Sequence, residues 1–309
     1  EYQGEARLGA FGTTVFGLKA EHETAKAQEK WLPAFAKTTQ IDRGQTTQSA
    51  FLQHQVMFGD RLDLTLGGRV DRVLDGKTFV TGRATLAYLL KETDTKLRAS
   101  VGSGAKMATL YQRYSVYGDP NLEPEKNVGF DVGLDQSLWN GRAKLSATYY
   151  QARYRDLIDF DLQTFKYNNV SRAMTRGVEL QGDVVIVPET WRLRANYTYL
   201  HAEDLTKHVF LYRRPFNKGF AAVTYTGVQN LELEARLTMT GRRFDFDNVA
   251  YKRISVPAWA KLDLSANYKL NDTFQLFGRV ENVTNARYEE IRDYASSGRA
   301  FYAGLKATW

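Results

Sequence analysis

Apolar and polar residues alternate one for one along nearly the whole chain, and that period of two limits what it can fold into. The stretch WRLRANYTYL sets Trp191, Leu193, Ala195, Tyr197 and Tyr199 on one face, with Arg192, Arg194, Asn196 and Thr198 on the other. NLELEARLTMT opposes Leu231, Leu233, Ala235, Leu237 and Met239 to Glu232, Glu234, Arg236 and Thr238. AKLDLSANYKL repeats the pattern, and so does the final GRAFYAGLKATW, where Phe301, Ala303, Leu305, Ala307 and Trp309 share a face. Side chains in a strand point alternately to opposite faces, so these are strands with one greasy and one wet side. No stretch carries a helical period.

The alternation predicts an all-β fold of about fifteen strands, near 1–9, 13–25, 46–58, 61–72, 78–92, 96–107, 126–138, 143–159, 166–187, 190–203, 213–226, 230–245, 257–270, 273–284 and 298–309. Tight connections (AFGT, GDR, ETDT, WNG, PETW, GVQ, NDT) are rich in the Gly, Asn, Asp and Pro that turns require. Longer ones fall near 26–45, 73–77, 108–125, 160–165, 204–212, 246–256 and 285–297. Short and long alternate without a break, which is the layout of an outer-membrane β-barrel with short periplasmic turns and long extracellular loops. A soluble sandwich is the competing architecture. It would hide its Leu face between sheets, whereas here the polar faces are rich in Arg, Glu and Asp, as a wet lumen requires. Aromatics near strand ends suit the interfacial girdles of a barrel, with Trp309 expected at the inner interface.

Composition removes several function classes. There is no cysteine, so neither a disulfide framework nor a thiolate metal site exists. No apolar run approaches the ~20 residues of a transmembrane helix. His22, His54, His201 and His208 are scattered, and the Gly-Ser-Gly at 102–104 lacks the Lys-Ser/Thr of a phosphate loop. No catalytic group is expected. The net charge of +7 comes without a compact basic helix, so nucleic acid is not expected as a partner. A basic surface against the phosphates of lipopolysaccharide accounts for it better.

Three segments carry a family resemblance. GRVENVTNARYEEIRDYASSGRAFYAGLKATW resembles the C-terminal signature of TonB-dependent outer-membrane receptors, in Asn282, Val283, Thr284, Asn285, Tyr288, Tyr294, Gly298 and Arg299. GDPNLEPEKN resembles that family's Asn-Pro-Asn-Leu-Lys-Pro-Glu loop, with Asp119 and Glu123 replacing the usual Asn and Lys. RDLIDFDLQTFKYNNVSRAMTRGVEL, with LYRRPFNKG, is most similar to the cobalamin transporter branch. Where relatives carry Lys-Ala-Pro, this chain has Lys106, Met107 and Ala108.

The resemblance implies a 22-stranded barrel closed around an N-terminal plug. Residues 1–309 would then be the C-terminal part of the barrel, with the plug, the TonB-contacting segment and about seven strands lying upstream. It also implies ligand capture by loops and plug, plug rearrangement when TonB pulls, and contact of the last strand, ending at Trp309, with the barrel assembly machinery. Any calcium would belong to the upstream barrel loops, and no cofactor is expected in this segment. The ligand implied is cobalamin or a related corrinoid. A ferric siderophore is the nearest alternative, and a passive porin, needing an even closed barrel, is the rival from another class.

The long loops are where recognition should lie. Candidate ligand contacts are Tyr111, Tyr114 and Tyr117; Tyr212, Arg213 and Arg214; Phe246 and Tyr251 in FDFDNVAYKR, beside Phe244; and Tyr288, Arg292 and Tyr294. Aromatic faces with Arg suit a large amphipathic ligand bearing phosphate or carboxylate. The same residues could instead form the outer aromatic girdle or touch lipopolysaccharide.

Overall fold

A computed structural model describes residues 1–30, 38–74, 77–161, 164–247 and 249–308. The strands are β1 (Tyr2–Arg7), β2 (Thr13–Lys30), β3 (Thr38–Phe58), β4 (Leu62–Val73), β5 (Thr78–Leu90), β6 (Thr95–Lys106), β7 (Glu125–Leu138), β8 (Ala143–Asp161) and β9 (Lys166–Val187). After them come β10 (Trp191–Asp204), β11 (Val209–Phe210), β12 (Asn217–Val228), β13 (Leu231–Thr240), β14 (Arg243–Asp247), β15 (Lys252–Val256), β16 (Trp259–Lys269), β17 (Phe274–Glu281) and β18 (Ala300–Ala307). Fifteen of them form one antiparallel path, β1 to β10 in order and then β12, β13, β16, β17 and β18. They correspond one to one with the strands expected from the alternation. β11 adds to the end of β10, and β14 pairs only with β15.

Register shows that the faces sort as the sequence requires. Val184, Leu193, Val223, Ala235, Leu264, Val280 and Phe301 lie opposite one another across seven consecutive strands. One residue along, the line reads Lys144, Asp183, Arg194, Ala222, Arg236 and Asp263. One face is therefore continuously apolar, and the other carries a charge on five of the six strands in this line. The apolar face has no second layer over it: Leu264 is 41% exposed and Phe301 71%. A sandwich would have buried both. On the wet face the charges satisfy each other, with Arg194 bonded to Glu234, Arg236 to Glu234 at 3.0 Å and Lys261 to Asp263 at 3.2 Å.

The strands also slide past each other. A line of directly opposed residues starts at Leu62, beside the tight turn below β4. It runs through Tyr88, Leu97, Leu134, Ala147, Leu180, Tyr197, Gly219 and Met239 and reaches Ala260 at the loop end of β16. Such a stagger is the shear that accompanies strongly tilted barrel strands. Among the described residues β1 pairs only with β2 and β18 only with β17, so the sheet curves without closing.

Tight turns gather at one end and long connections at the other. The turn after β7 places Trp139, Asn140 and Gly141 at φ of 53°, 54° and 82°, a left-handed path that Asn and Gly take at little cost. Four expectations need correction. The loop expected at 26–45 is mostly strand: β2 and β3 stay paired out to Lys30 opposite Thr38. The run read as one strand over 230–245 breaks at Gly241, and its tail becomes β14. Residues 213–216, expected as the start of a strand, precede β12 as irregular chain. A short helix, α1 (Leu110–Tyr114), forms where no helical period is visible. The place expected for Trp309 lies outside the described residues.

Candidate ligand-binding vestibule

Two side-chain clusters occupy the long-loop end. The first is built on α1. Thr109 caps the helix: its hydroxyl accepts the Gln112 N–H at 3.2 Å, and the Gln112 side chain accepts the Thr109 N–H at 2.9 Å. The Arg113 guanidinium donates to Gln45 at 2.9 Å, fastening the helix to β3, while Ala108, Leu110 and Leu122 are fully buried beneath the loop. Ala108 thus fills the position where relatives have proline.

The rest of that loop docks on β9, since Asn169 donates to the Glu123 carbonyl at 2.9 Å and accepts the Glu123 N–H at 2.8 Å. The Glu123 carboxylate, which stands where the family pattern has Lys, meets the Lys77 ammonium at 2.9 Å, and that hydrogen bond holds its pKa below the usual range. Tyr111 packs edge-on against Tyr167 at 6.3 Å, Tyr117 against Phe160 at 5.7 Å, and Arg43 lies 5.6 Å over Tyr114. The three tyrosines expected to grip ligand are half-buried in this packing.

The second cluster brings together β11, the chain before β12, and the β14–β15 hairpin. Phe210 stacks on Phe244 at 5.9 Å and meets Phe216 edge-on at 4.8 Å. Arg253 lies 4.0 Å over Phe244 and 5.1 Å over Tyr212, and it donates to the Phe210 carbonyl at 2.8 Å. Phe246 touches Tyr212 on one side and Tyr251 on the other.

Asp245 organises all of this. It is 1% exposed and accepts from the Arg213 guanidinium at 2.9 Å, the Phe246 N–H at 2.8 Å and the Arg292 N–H at 2.9 Å. Burial raises its pKa, but the two backbone donors and Arg213 outweigh it and hold the carboxyl below the usual range. Arg243, on the same face of β14, donates to the Glu290 carbonyl at 2.9 Å and to that of Glu289. The hairpin is therefore tied to the last long loop through its backbone.

Tyr212, Arg213, Arg214 and Phe246 line a single cleft of about 510 Å³ that also takes in Leu157, Phe210 and Arg253. Five cations and four carboxylates surround its apolar walls. Tyr251 borders Phe246 and is 77% exposed. Tyr294 is exposed but outside the cleft lining. Tyr288 stacks on Trp259 at 4.0 Å, and Arg292 is held by Asp245 and Glu289, so both serve the loop's shape. Asp245 and Arg253 were missed by the sequence reading. The one available signal was the Arg-Phe-Asp-Phe-Asp alternation of β14, which separates an aromatic side from a charged one.

The signature near the C-terminus is a clamp. Asn282 is buried, its amide N–H groups reach the Ala286 carbonyl at 2.9 Å and the Ser297 carbonyl at 3.3 Å, and its oxygen accepts the Ala286 N–H at 2.8 Å. Asn285 accepts the Arg299 N–H at 3.0 Å. Both stand at positive φ, 51° and 50°, which Asn tolerates better than most residues. Asn282→Ala should cost roughly 2 kcal/mol by stranding the backbone groups it serves. Urea titration of the refolded complete protein will show this as a lower midpoint; an unchanged midpoint would contradict the clamp.

A family model for the TonB dependent receptor-like, beta-barrel matches residues 2–283. The chain belongs to that family. Receptor barrels of this kind are outer-membrane proteins of Gram-negative bacteria, and that is where the apolar wall of this one belongs. The vitamin B12 transporter BtuB of Vibrio cholerae serotype O1 is 28% identical over 215 residues, covering 68% of this chain and 34% of the transporter. The ferric enterobactin receptor PfeA of Pseudomonas aeruginosa superposes with a TM-score of 0.83 at 17% identity, over 99% of this chain and 53% of that one. The siderophore receptor PirA of Acinetobacter baumannii gives 0.82 at 17% identity, over 99% and 54%. The chain thus spans about a third of the curated relative and about half of the solved receptors.

Proposed function

We propose that this chain supplies barrel wall and outer vestibule to a TonB-dependent uptake receptor for cobalamin or a related corrinoid. The carrying observation is the cleft, in which Phe210, Tyr212 and Phe246 stand beside Arg213, Arg214 and Arg253. Apolar faces of that size match the bulk of a corrin ring, and the guanidiniums match a phosphate or amide periphery. The BtuB likeness points the same way. The unpaired edges of β1 and β18 cannot face lipid, because each open N–H and C=O there would cost several kcal/mol. Further strands must complete the wall, and a plug within it would carry the coupling to TonB. A porin closed by these strands alone is disfavoured on the same ground.

Binding of cyanocobalamin to the complete protein tests the reading. Tyr212→Ala and Phe246→Ala together should weaken it by about tenfold or more, through lost apolar contact. Ferric siderophore binding without measurable corrinoid affinity would move the assignment to the second ligand class, the one named for the solved neighbours PfeA and PirA.

A further inference from the structure

Three segments bring open cations to the vestibule cleft. Leu205 donates its N–H to the Arg172 carbonyl at 2.7 Å, which lays the β10–β11 turn against β9 and sets Lys207 and Arg172 on the same cleft. Asp204 shapes that turn by accepting the Thr206 and Lys207 N–H groups at 2.8 and 3.0 Å. Arg214 reaches the cleft from the chain before β12, which the Arg213 N–H ties to the Phe244 carbonyl at 2.7 Å. All three side chains are exposed.

The other two cations of the cleft are committed elsewhere. Arg213 serves Asp245, and Arg253 lies over Phe244 while donating to the Phe210 carbonyl. Among the described residues, Arg172 and Lys207 make no ion pair or side-chain hydrogen bond, and Arg214 reaches only the Tyr212 and Arg213 carbonyls, at 3.5 and 3.4 Å. The four carboxylates are each served by a backbone N–H: Glu125 by Ile158 at 2.9 Å, Asp159 by Phe160 at 2.9 Å, Asp204 by Thr206 and Asp245 by Phe246. The cleft therefore offers an anion three open donors, yet holds only one cation in excess of its acids. A single negative charge satisfies that balance. A ferric tris-catecholate, with three, would set like charges against the four acids, and such juxtaposition rejects a wrong partner.

We propose that Arg172, Lys207 and Arg214 bind the phosphodiester of a complete corrinoid, so that the cleft selects corrinoids carrying the nucleotide arm over those without it. The inference rests on the corrinoid reading of the cleft. A phosphodiester is a monoanion with two free oxygens, enough acceptors for a guanidinium fork on one side and an ammonium on the other. Phe210, Tyr212 and Phe246 supply apolar contact to the ring, which every corrinoid shares, and so give affinity without selection. The three cations act on the arm alone, and so they select.

Cyanocobalamin and dicyanocobinamide separate the two contributions. Both are neutral overall and share the corrin ring, but the second lacks the phosphodiester and the base. Titration of the purified complete protein at low salt should show cyanocobalamin bound about tenfold more tightly. Arg172→Gln/Lys207→Gln/Arg214→Gln should bring that ratio down to about twofold, chiefly by weakening cyanocobalamin. Tyr212→Ala/Phe246→Ala should instead weaken both ligands. Raising NaCl from about 0.05 M to about 0.5 M should weaken cyanocobalamin and leave dicyanocobinamide nearly unchanged, and this comparison on the native protein decides if the triple variant does not assemble. Equal affinity for the two ligands, a ratio that survives the triple variant, or a ratio insensitive to salt would each overturn the cation site and leave the corrinoid reading standing. Binding of neither ligand would overturn both.

Discussion

Asp245→Ala is expected to dismantle the second loop cluster while leaving the barrel wall intact. The carboxylate serves three donors, two of them the backbone N–H groups of Phe246 and Arg292. Each stranded N–H costs about 1–3 kcal/mol, whereas Arg213, half exposed, recovers water. A loss of roughly 3 kcal/mol is therefore expected, and it falls on the link between the β14–β15 hairpin and the last loop. Hydrogen exchange should show faster uptake in peptides covering 243–247 and 289–294, with β13 and β16 unchanged. Cyanocobalamin affinity should fall too, because Arg213 and Phe246 lose their frame. Unaltered exchange in both peptides would remove Asp245 from the organising role.

Acid should imitate that substitution. The folded pKa of Asp245 lies below the ordinary carboxylate value, so its stabilisation is complete above an unfolded pKa of ~4. It is lost as pH falls through the lower folded value. Asp247 behaves alike, its pKa lowered by the N–H groups of Ala250 and Val249. The vestibule should therefore hold its order through neutral and mildly acidic pH and loosen only in strong acid.

The wall was legible in the sequence because a bilayer forces the code to be simple. Over ten or more residues one face must be apolar and the next wet, so Leu231 to Met239 and Leu262 to Tyr268 could be read directly. That code stops at the membrane surface. The outer halves of β2 and β3, AKAQEK and TTQIDRGQ, carry no run of large apolar residues on either face in the sequence, although Ile41 is buried. They looked like loop for that reason. The break after β13 was invisible because the alternation runs on through Arg-Phe-Asp-Phe-Asp, although pairing with β12 stops where Gly241 donates to the Asn217 carbonyl at 2.7 Å. Helix α1 announces itself only by Thr109 and Gln112 at capping-box spacing, and five residues are too few for a period. In the vestibule, the aromatics and the Arg pair were visible by type. Asp245 and Arg253 were not, since their roles arise from contacts between loops more than thirty residues apart in the chain.

Leu264→Arg should produce the second large effect, on insertion rather than on the loops. Leu264 opposes Ala235 and Val280, halfway between the turn below β16 and its loop end, so it lies near the midplane of the apolar wall. An Arg there should cost roughly 2–4 kcal/mol, because its charge meets hydrocarbon. Leu233, one outward step nearer the turn beside Tyr225 and Ala266, should cost somewhat less as its side chain snorkels toward the interface. Glu232→Arg is the control, since Glu232 lies on the wet face, where Asn267 donates to it at 3.2 Å and water replaces what is lost. Urea titration of the complete protein refolded into vesicles should rank the three variants in that order. If Glu232→Arg proved as damaging as Leu264→Arg, the faces would be assigned the wrong way round.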